Sequence, residues 1–272
     1  MRLRLHRIYI SLLSLCLLLA SLSAYAAKPA KAKDKKKIVR LTNPVPDALV
    51  KVSIRHRDLP VSAEAVNPNS KDYLIREGID VSHYQGTIDW DRVASDGSIG
   101  YVYIKATEGE SLVDDMYEYN VNEARRVGIK VGSYHFFRGN ASLEMQLNNL
   151  TSVVKRNKQD LVPLIDVEHA GGLSKDELVS RLKEFVTAVS RYYGCKPIIY
   201  TYQNFYNRYL QGGEFNNYPL MIASYHDNQP QLNDDRQYNM WQYTSHGSVS
   251  GIRGRTDRSK VMEGFSIADL YF

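Results

Sequence analysis

From Glu77 onward the chain alternates short β-branched and aromatic runs with amphipathic segments, and this alternation limits the fold more than any other feature. The runs fall around residues 78–82, 100–105, 130–136, 161–167, 197–201, 219–224 and 238–243. Between the first five, the apolar spacing is helical. Ser174 and Glu177 make a capping box, Leu178, Leu182, Phe185, Val186 and Val189 share one stripe, and Gly194 follows as a stop signal. Leu143, Leu147, Leu150 and Val154 make a second stripe, and Val121, Ala124 and Val127 before Gly128 a third. Strands that alternate with helices pair in parallel, and enough of them are present to close a barrel. After about residue 212 the helices fade and the last strands arrive close together. The sequence therefore predicts an α/β fold, an irregular TIM-like barrel over residues 75–272.

The segment before it has a different character. Arg2, Arg4 and Arg7 precede an apolar stretch from Ile8 to Leu22, and Ala24-Tyr25-Ala26 supplies a small-x-small cleavage site. These are the three parts of an export signal, expected over residues 1–26. The protein is thus expected to be secreted or to reside in the periplasm or cell envelope, with membrane attachment only if the apolar stretch stays uncleaved. Residues 27–74 read as a basic linker, KPAKAKDKKK at 28–37, followed by an extension of ill-defined structure. The formal net charge of +5 belongs to this region: residues 1–40 carry a net +9 and the remainder a net −4. The folded part therefore lacks the basic footprint of a nucleic-acid-binding domain. Beyond the export signal only Cys195 remains, which excludes an intramolecular disulfide and a cysteine metal cluster. No protein partner is implied.

Chemistry gathers at the ends of the apolar runs. Leu161 to Glu168 reads LVPLIDVE, a buried strand that stops at Asp166-Val167-Glu168. Side chains at i and i+2 share a face, so both carboxylates leave the strand's C-terminal end together, and in a βα barrel that end is the catalytic face. Two crowded carboxyls do not both ionise readily; one holds its proton beside an anion, the division of labour that glycosidic cleavage needs. Other strand ends carry Asp80, Lys105 with Glu108, Tyr134 with His135, Trp241-Gln242-Tyr243 and Asp257.

Taken in order, the segments GIDVSHYQGTIDW, YVYIKATEG, VGSYHF, PLIDVE, IIYT, MIASY and WQYTSHGSVSGIRGRTD resemble the family 25 glycoside hydrolases, the lysozymes also called N-acetylmuramidases. The likeness runs from about Gly78 to about Asp257. It implies a (β/α)5β3 barrel and hydrolysis of the β-1,4 bond between N-acetylmuramic acid and N-acetylglucosamine in peptidoglycan, without a cofactor. It carries the proton donor onto Glu168 and a role assisting the reacting centre onto Asp166, with Asp80 and Asp257 as the other acids of the groove. Tyr134, His135, Tyr200, Tyr225, Trp241 and Gln242 are implied as sugar contacts. Two positions depart from the family pattern: Met221 replaces a frequent Trp, which bears on a stacking wall or on core packing, and Arg258-Ser259 replace the Leu-Asn that usually follows the last acid.

Three rival readings stay open on the residues alone. The four acids are oxygen ligands suited to Mg²⁺ or Ca²⁺ and metal-assisted hydrolysis. A dead site would leave a peptidoglycan-binding module. A related glycosidase would act on another N-acetylated glycan such as chitin.

Overall fold

The computed structural model describes residues 74–272, so the expected export segment and nearly all of the linker region lie outside the described residues. Among the described residues nine strands form: β1 (Glu77–Val81), β2 (Tyr101–Glu108), β3 (Leu112–Val113), β4 (Lys130–Phe136), β5 (Leu164–Asp166), β6 (Ile198–Tyr202), β7 (Leu220–Ala223), β8 (Met240–Gly247) and β9 (Thr256–Val261). Their order is β1-β9-β8-β7-β6-β5-β4-β2-β3, and a β1–β2 pairing closes the ring, leaving β3 as a short hairpin arm on β2. Every pair from β1 through β8 within the ring is parallel, whereas β9 runs antiparallel to both β8 and β1. The irregular barrel expected from the fading helices is therefore present.

Helices α1 (Trp90–Asp96), α2 (Tyr117–Arg126), α3 (Leu143–Val153) and α4 (Lys175–Tyr193) fill the first four crossovers, and short helical turns at Gln203–Phe205 and Tyr206–Leu210 connect β6 to β7. α4 shows how the sequence builds them. Ser174 and Glu177 close the capping box at its start, and Gly194 ends it in the left-handed conformation at φ 74°. Leu178, Leu182, Phe185, Val186 and Val189 on its stripe are all buried, each stabilising the fold by about 2 kcal/mol relative to exposure.

Alternate strand residues feed two separate cores. Ile79, Val102, Ile104, Val131, Ile165, Ile199 and Ile222 point outward and pack with the helices. Tyr101, Tyr103, Leu164, Ile198, Met221, Met240 and Val261 point inward and fill the barrel with Ile267 and Leu270 from the C-terminal 3-10 turn. Two glycines admit the large rings. A Cβ at Gly78 would stand 2.1 Å from the Tyr101 ring, and one at Gly132 would stand 2.3 Å from that of Tyr103. Met221, fully buried in this inner cluster, packs the core and supplies no stacking wall.

Candidate active site

The inner aromatic and aliphatic layers end where the acids begin. Leu164 points into the barrel, so Asp166, two residues on, does the same at the last position of β5. Asp80 lies near the end of β1 and is the register partner of Asp257 on antiparallel β9, which brings both to the same end of the barrel. Ser259, two residues beyond Asp257, is fully buried with its hydroxyl 3.0 Å from that of Tyr101, while Arg258 turns outward to Glu77 at 3.3 Å. The departure at Arg258-Ser259 therefore leaves the pairing of Asp257 with Asp80 intact.

One chain of hydrogen bonds organises the floor. The hydroxyls of Tyr200 and Tyr225 donate to Gln242 Oε1 at 2.8 and 2.7 Å, and Gln242 Nε2 donates to Asp80 Oδ2 at 2.8 Å. The glutamine thus turns two phenol donors into one amide donor aimed at a carboxyl. Burial still dominates Asp80: together with the Asp257 charge it outweighs the Gln242 hydrogen bond and lifts the pKa to about 8. Asp257 rises to about 6, mainly by burial, with His246 pulling the other way.

Asp166 and Glu168 form a crowded carboxyl pair. Burial pushes the Asp166 carboxyl well above the usual range, and the Glu168 charge adds to the rise. Burial and the Asp257 charge raise Glu168 as well, against the Tyr200 and Tyr202 hydroxyls. Such a pair retains a proton where isolated carboxyls would have lost it. Asp166 is 7 % exposed, and its Oδ1 is enclosed without a hydrogen-bond partner. Tyr134 projects among these groups: burial raises its phenol pKa first, and the charges of Asp166 and Asp80 add to it.

Two expected sugar contacts lie elsewhere. His135 follows Tyr134 and so takes the opposite face of β4. It is fully buried, with Nδ1 2.8 Å from Thr107 Oγ1, Nε2 3.3 Å from Gln146 Oε1, and its ring 5.3 Å from that of Phe185 on α4. Trp241 likewise turns away from Gln242 to the outer core, donating to the Ser224 carbonyl at 2.9 Å. Period-two alternation forces both corrections.

Beside the acids stands an ion-pair cluster. Lys105 Nζ lies 2.6 Å from Glu108, and Arg138 pairs with the other Glu108 oxygen. Burial pushes Glu108 up, but hydrogen bonds from Lys105 and Arg138 outweigh it and hold the carboxyl below its ordinary value. The four groove acids do not gather as metal ligands would. Among the described residues, the only such group with ligand atoms within 4.8 Å of one another is His83, Asp114 and Asp115.

Comparison with known proteins settles the family. The model of the glycosyl hydrolases family 25 matches residues 79–252. The chain belongs to glycosyl hydrolase family 25. It is similar to the uncharacterized protein YegX of Escherichia coli (strain K12), with 39% identity over 184 residues, 66% of this chain and 67% of the relative. It is 34% identical over 191 residues to an autolytic lysozyme of Clostridium acetobutylicum, covering 70% of this chain and 57% of that one. Among solved structures it resembles a family 25 glycosyl hydrolase from Bacillus anthracis, at 31% identity and TM-score 0.63, over 69% of this chain and 89% of that one. A bacterial lysozyme from Streptomyces coelicolor aligns at 31% identity and TM-score 0.64, over 70% and 92% of the two chains. The protein is a glycoside hydrolase with the barrel of its family.

Within this family 25 enzyme, two further groups stand beside the acids. Tyr202, two residues after Tyr200 on β6, has its ring centroid 6.0 Å from that of Tyr225, and its hydroxyl lowers the pKa of Glu168. The i, i+2 rule applied once more would have found it. Arg138 lies beyond the end of β4, where no periodicity points.

Proposed function

We propose that this glycoside hydrolase is an exported muramidase that cleaves the β-1,4 bond between N-acetylmuramic acid and N-acetylglucosamine in peptidoglycan. The observation that carries the mechanism is the Asp166–Glu168 pair at the barrel mouth, in which one Asp166 oxygen is enclosed and lacks a donor. A buried acceptor without a partner favours a ligand that brings one, and the amide N–H of a sugar's acetamido group is such a donor.

Burial and the Asp257 charge raise the Glu168 pKa, which favours the acid form this step needs. It gives that proton to the glycosidic oxygen as the C1–O4 bond breaks. The acetamido carbonyl oxygen bonds to C1 in the same step, with its N–H accepted by Asp166, and the leaving sugar departs as a neutral alcohol. Glu168, now a carboxylate, takes a proton from water as the water oxygen attacks C1 and the carbonyl oxygen leaves. The acetamido group is restored, and Glu168 is protonated again. Asp80, held by Gln242, and Asp257 line the cleft around the sugar. Tyr134, Tyr200, Tyr202 and Tyr225 offer ring faces and hydroxyl edges that match the mixed apolar and polar surface of a pyranose. Export rests on the N-terminal segment, whose Arg-rich start, apolar stretch and Ala-Tyr-Ala site support it.

Release of reducing ends from purified peptidoglycan, with mass spectrometry of the fragments, tests the reading. Fragments ending in reducing N-acetylmuramic acid are expected. Glu168→Gln should lower the rate by about 10³-fold or more while leaving the chain folded. A variant that keeps most of its activity overturns Glu168 as donor, and a folded wild type that binds the wall without releasing ends makes the chain a binding module.

A further inference from the structure

Over the rim from the acids, on the outer side of β8 and β9, lies a second cavity of about 650 Å³. Tyr225, Trp241, Tyr243, His226, His246 and Lys260 line it. It adjoins the proposed catalytic groove at two points. Tyr225 is common to both, since its hydroxyl bonds Gln242 on the groove floor at 2.7 Å. His246 is close enough to Asp257 to act on its charge. A substituent on a sugar seated in the groove can therefore cross the Tyr225 rim into this cavity.

Its chemistry is cationic and aromatic. The Lys260 ammonium sits 4.6 Å above the Trp241 ring and 5.7 Å from that of Tyr243. Among the described residues no carboxylate lies within ion-pair distance of it. Glu77, opposite Lys260 in the β1–β9 register, is engaged instead by the Tyr243 hydroxyl at 2.6 Å and by Arg258 at 3.3 Å. Asp227 is the one carboxylate among the lining residues. A cation on an aromatic shelf beside two imidazoles suits a carboxylate attached to an apolar or amide stem.

We propose that this cavity binds the carboxylate-bearing peptide stem carried on the lactyl ether of N-acetylmuramic acid, with Lys260 as the anion-recognising residue. The proposal rests on the muramidase reading, because only a glycan with such stems brings that group over the rim. Lys260 takes no part in bond cleavage; it selects stem-bearing glycan.

Reducing-end release is compared on intact peptidoglycan and on the same glycan stripped of stems by an amidase, for the wild type, Lys260→Met and Lys260→Arg. Lys260→Met should raise KM on the stem-bearing polymer by about tenfold, the scale of one charge-assisted hydrogen bond, with far less effect on stripped glycan and little change in kcat. Lys260→Arg, which keeps the charge, should recover most of the loss. An equal loss on both substrates would make Lys260 a brace between β8 and β9 or a reader of the lactyl carboxylate that the amidase leaves on the glycan, and no loss on either would make it a bystander; each result overturns the proposal. Should the wild type cut neither polymer, the muramidase reading falls, and the cavity is read without turnover. N-acetylmuramyl dipeptide should then change the fluorescence of Trp241, beneath Lys260, in a saturable way that Lys260→Met weakens by about tenfold. An unchanged titration in that variant removes the site as well.

Discussion

The two faces of β4 carry neighbouring residues with opposite fates. His135, on the outer face, has both ring nitrogens bonded, to Thr107 and Gln146. Gln146 Oε1 also accepts the Arg138 amide at 2.8 Å, so it is an acceptor, and the imidazole is neutral with its proton on Nε2. Burial lowers the His135 pKa to about 4, which keeps it so. Tyr134, one residue earlier, faces a space in which Asp166 has an oxygen without a donor and Asp80 has been lifted to about 8. Both faces hold polar groups away from bulk water, the outer ones fully buried and the inner ones Asp166 buried with Tyr134 and Asp80 partly so. Completeness separates them: the outer network closes on itself, and the inner one waits for a ligand.

The largest effect expected from this contrast is on turnover. Asp166→Asn cannot supply the negative charge that an ionised Asp166 offers the developing cation, and it should cost at least about 10²-fold in kcat, as loss of preorganised electrostatic stabilisation does. Near-normal turnover would mean that the unpartnered oxygen serves packing, and the contrast between the faces would fail.

A second effect is on stability, and its sign follows from Asp80. In the folded chain its pKa is about 8 against an ordinary 3.8, so across that interval the folded state keeps a proton that the unfolded chain has lost. Stability therefore falls as pH rises from about 4 to about 8 and levels off above. Asp80→Asn, uncharged at every pH, removes this descent. Its melting temperature should overtake that of the wild type by a margin that grows from pH 5 to pH 8, the mark of a group held for function at the cost of stability. Melting curves that run parallel at pH 5, 7 and 9 would show that Asp80 is not held protonated.

The sequence carried much of this, unevenly. α4 was fully legible, because a capping box, an apolar stripe over about three turns and a stop glycine all agree. α1, seven residues long between Asp89 and Gly97, is too short to display a stripe, and the two-residue β3 gives no period at all. In the site, Asp166 and Glu168 could be placed because the strand's apolar run states its own direction and its end. His135 and Trp241 were misplaced because resemblance speaks of segments whereas a strand sorts single residues. If Tyr134 and Gln242 face inward, their neighbours His135 and Trp241 cannot. The Gln242 relay to Asp80 spans 162 positions, and no local pattern foretells which side chains meet across a closed ring.

The smallest predicted effect tests the outer face directly. His135→Leu preserves an apolar contact with Phe185 but leaves the Thr107 hydroxyl, otherwise bonded at 2.8 Å to the imidazole, buried and unpaired. That should cost about 1–3 kcal/mol at neutral pH, read as a lower melting temperature. The pH dependence has the sign opposite to that of Asp80. Below its ordinary pKa of 6.5 the histidine of the unfolded chain takes up a proton that the folded site, with its pKa near 4, refuses, so wild-type stability is full above 6.5 and declines as pH falls toward 4. The leucine variant lacks this decline, and its deficit should shrink across the same interval. Turnover per folded molecule should stay within about twofold of the wild type, because nothing on the groove side of β4 has changed. A variant with an unaltered melting curve and a raised KM would return His135 to the groove. The two faces would then differ only in which ligand completes them.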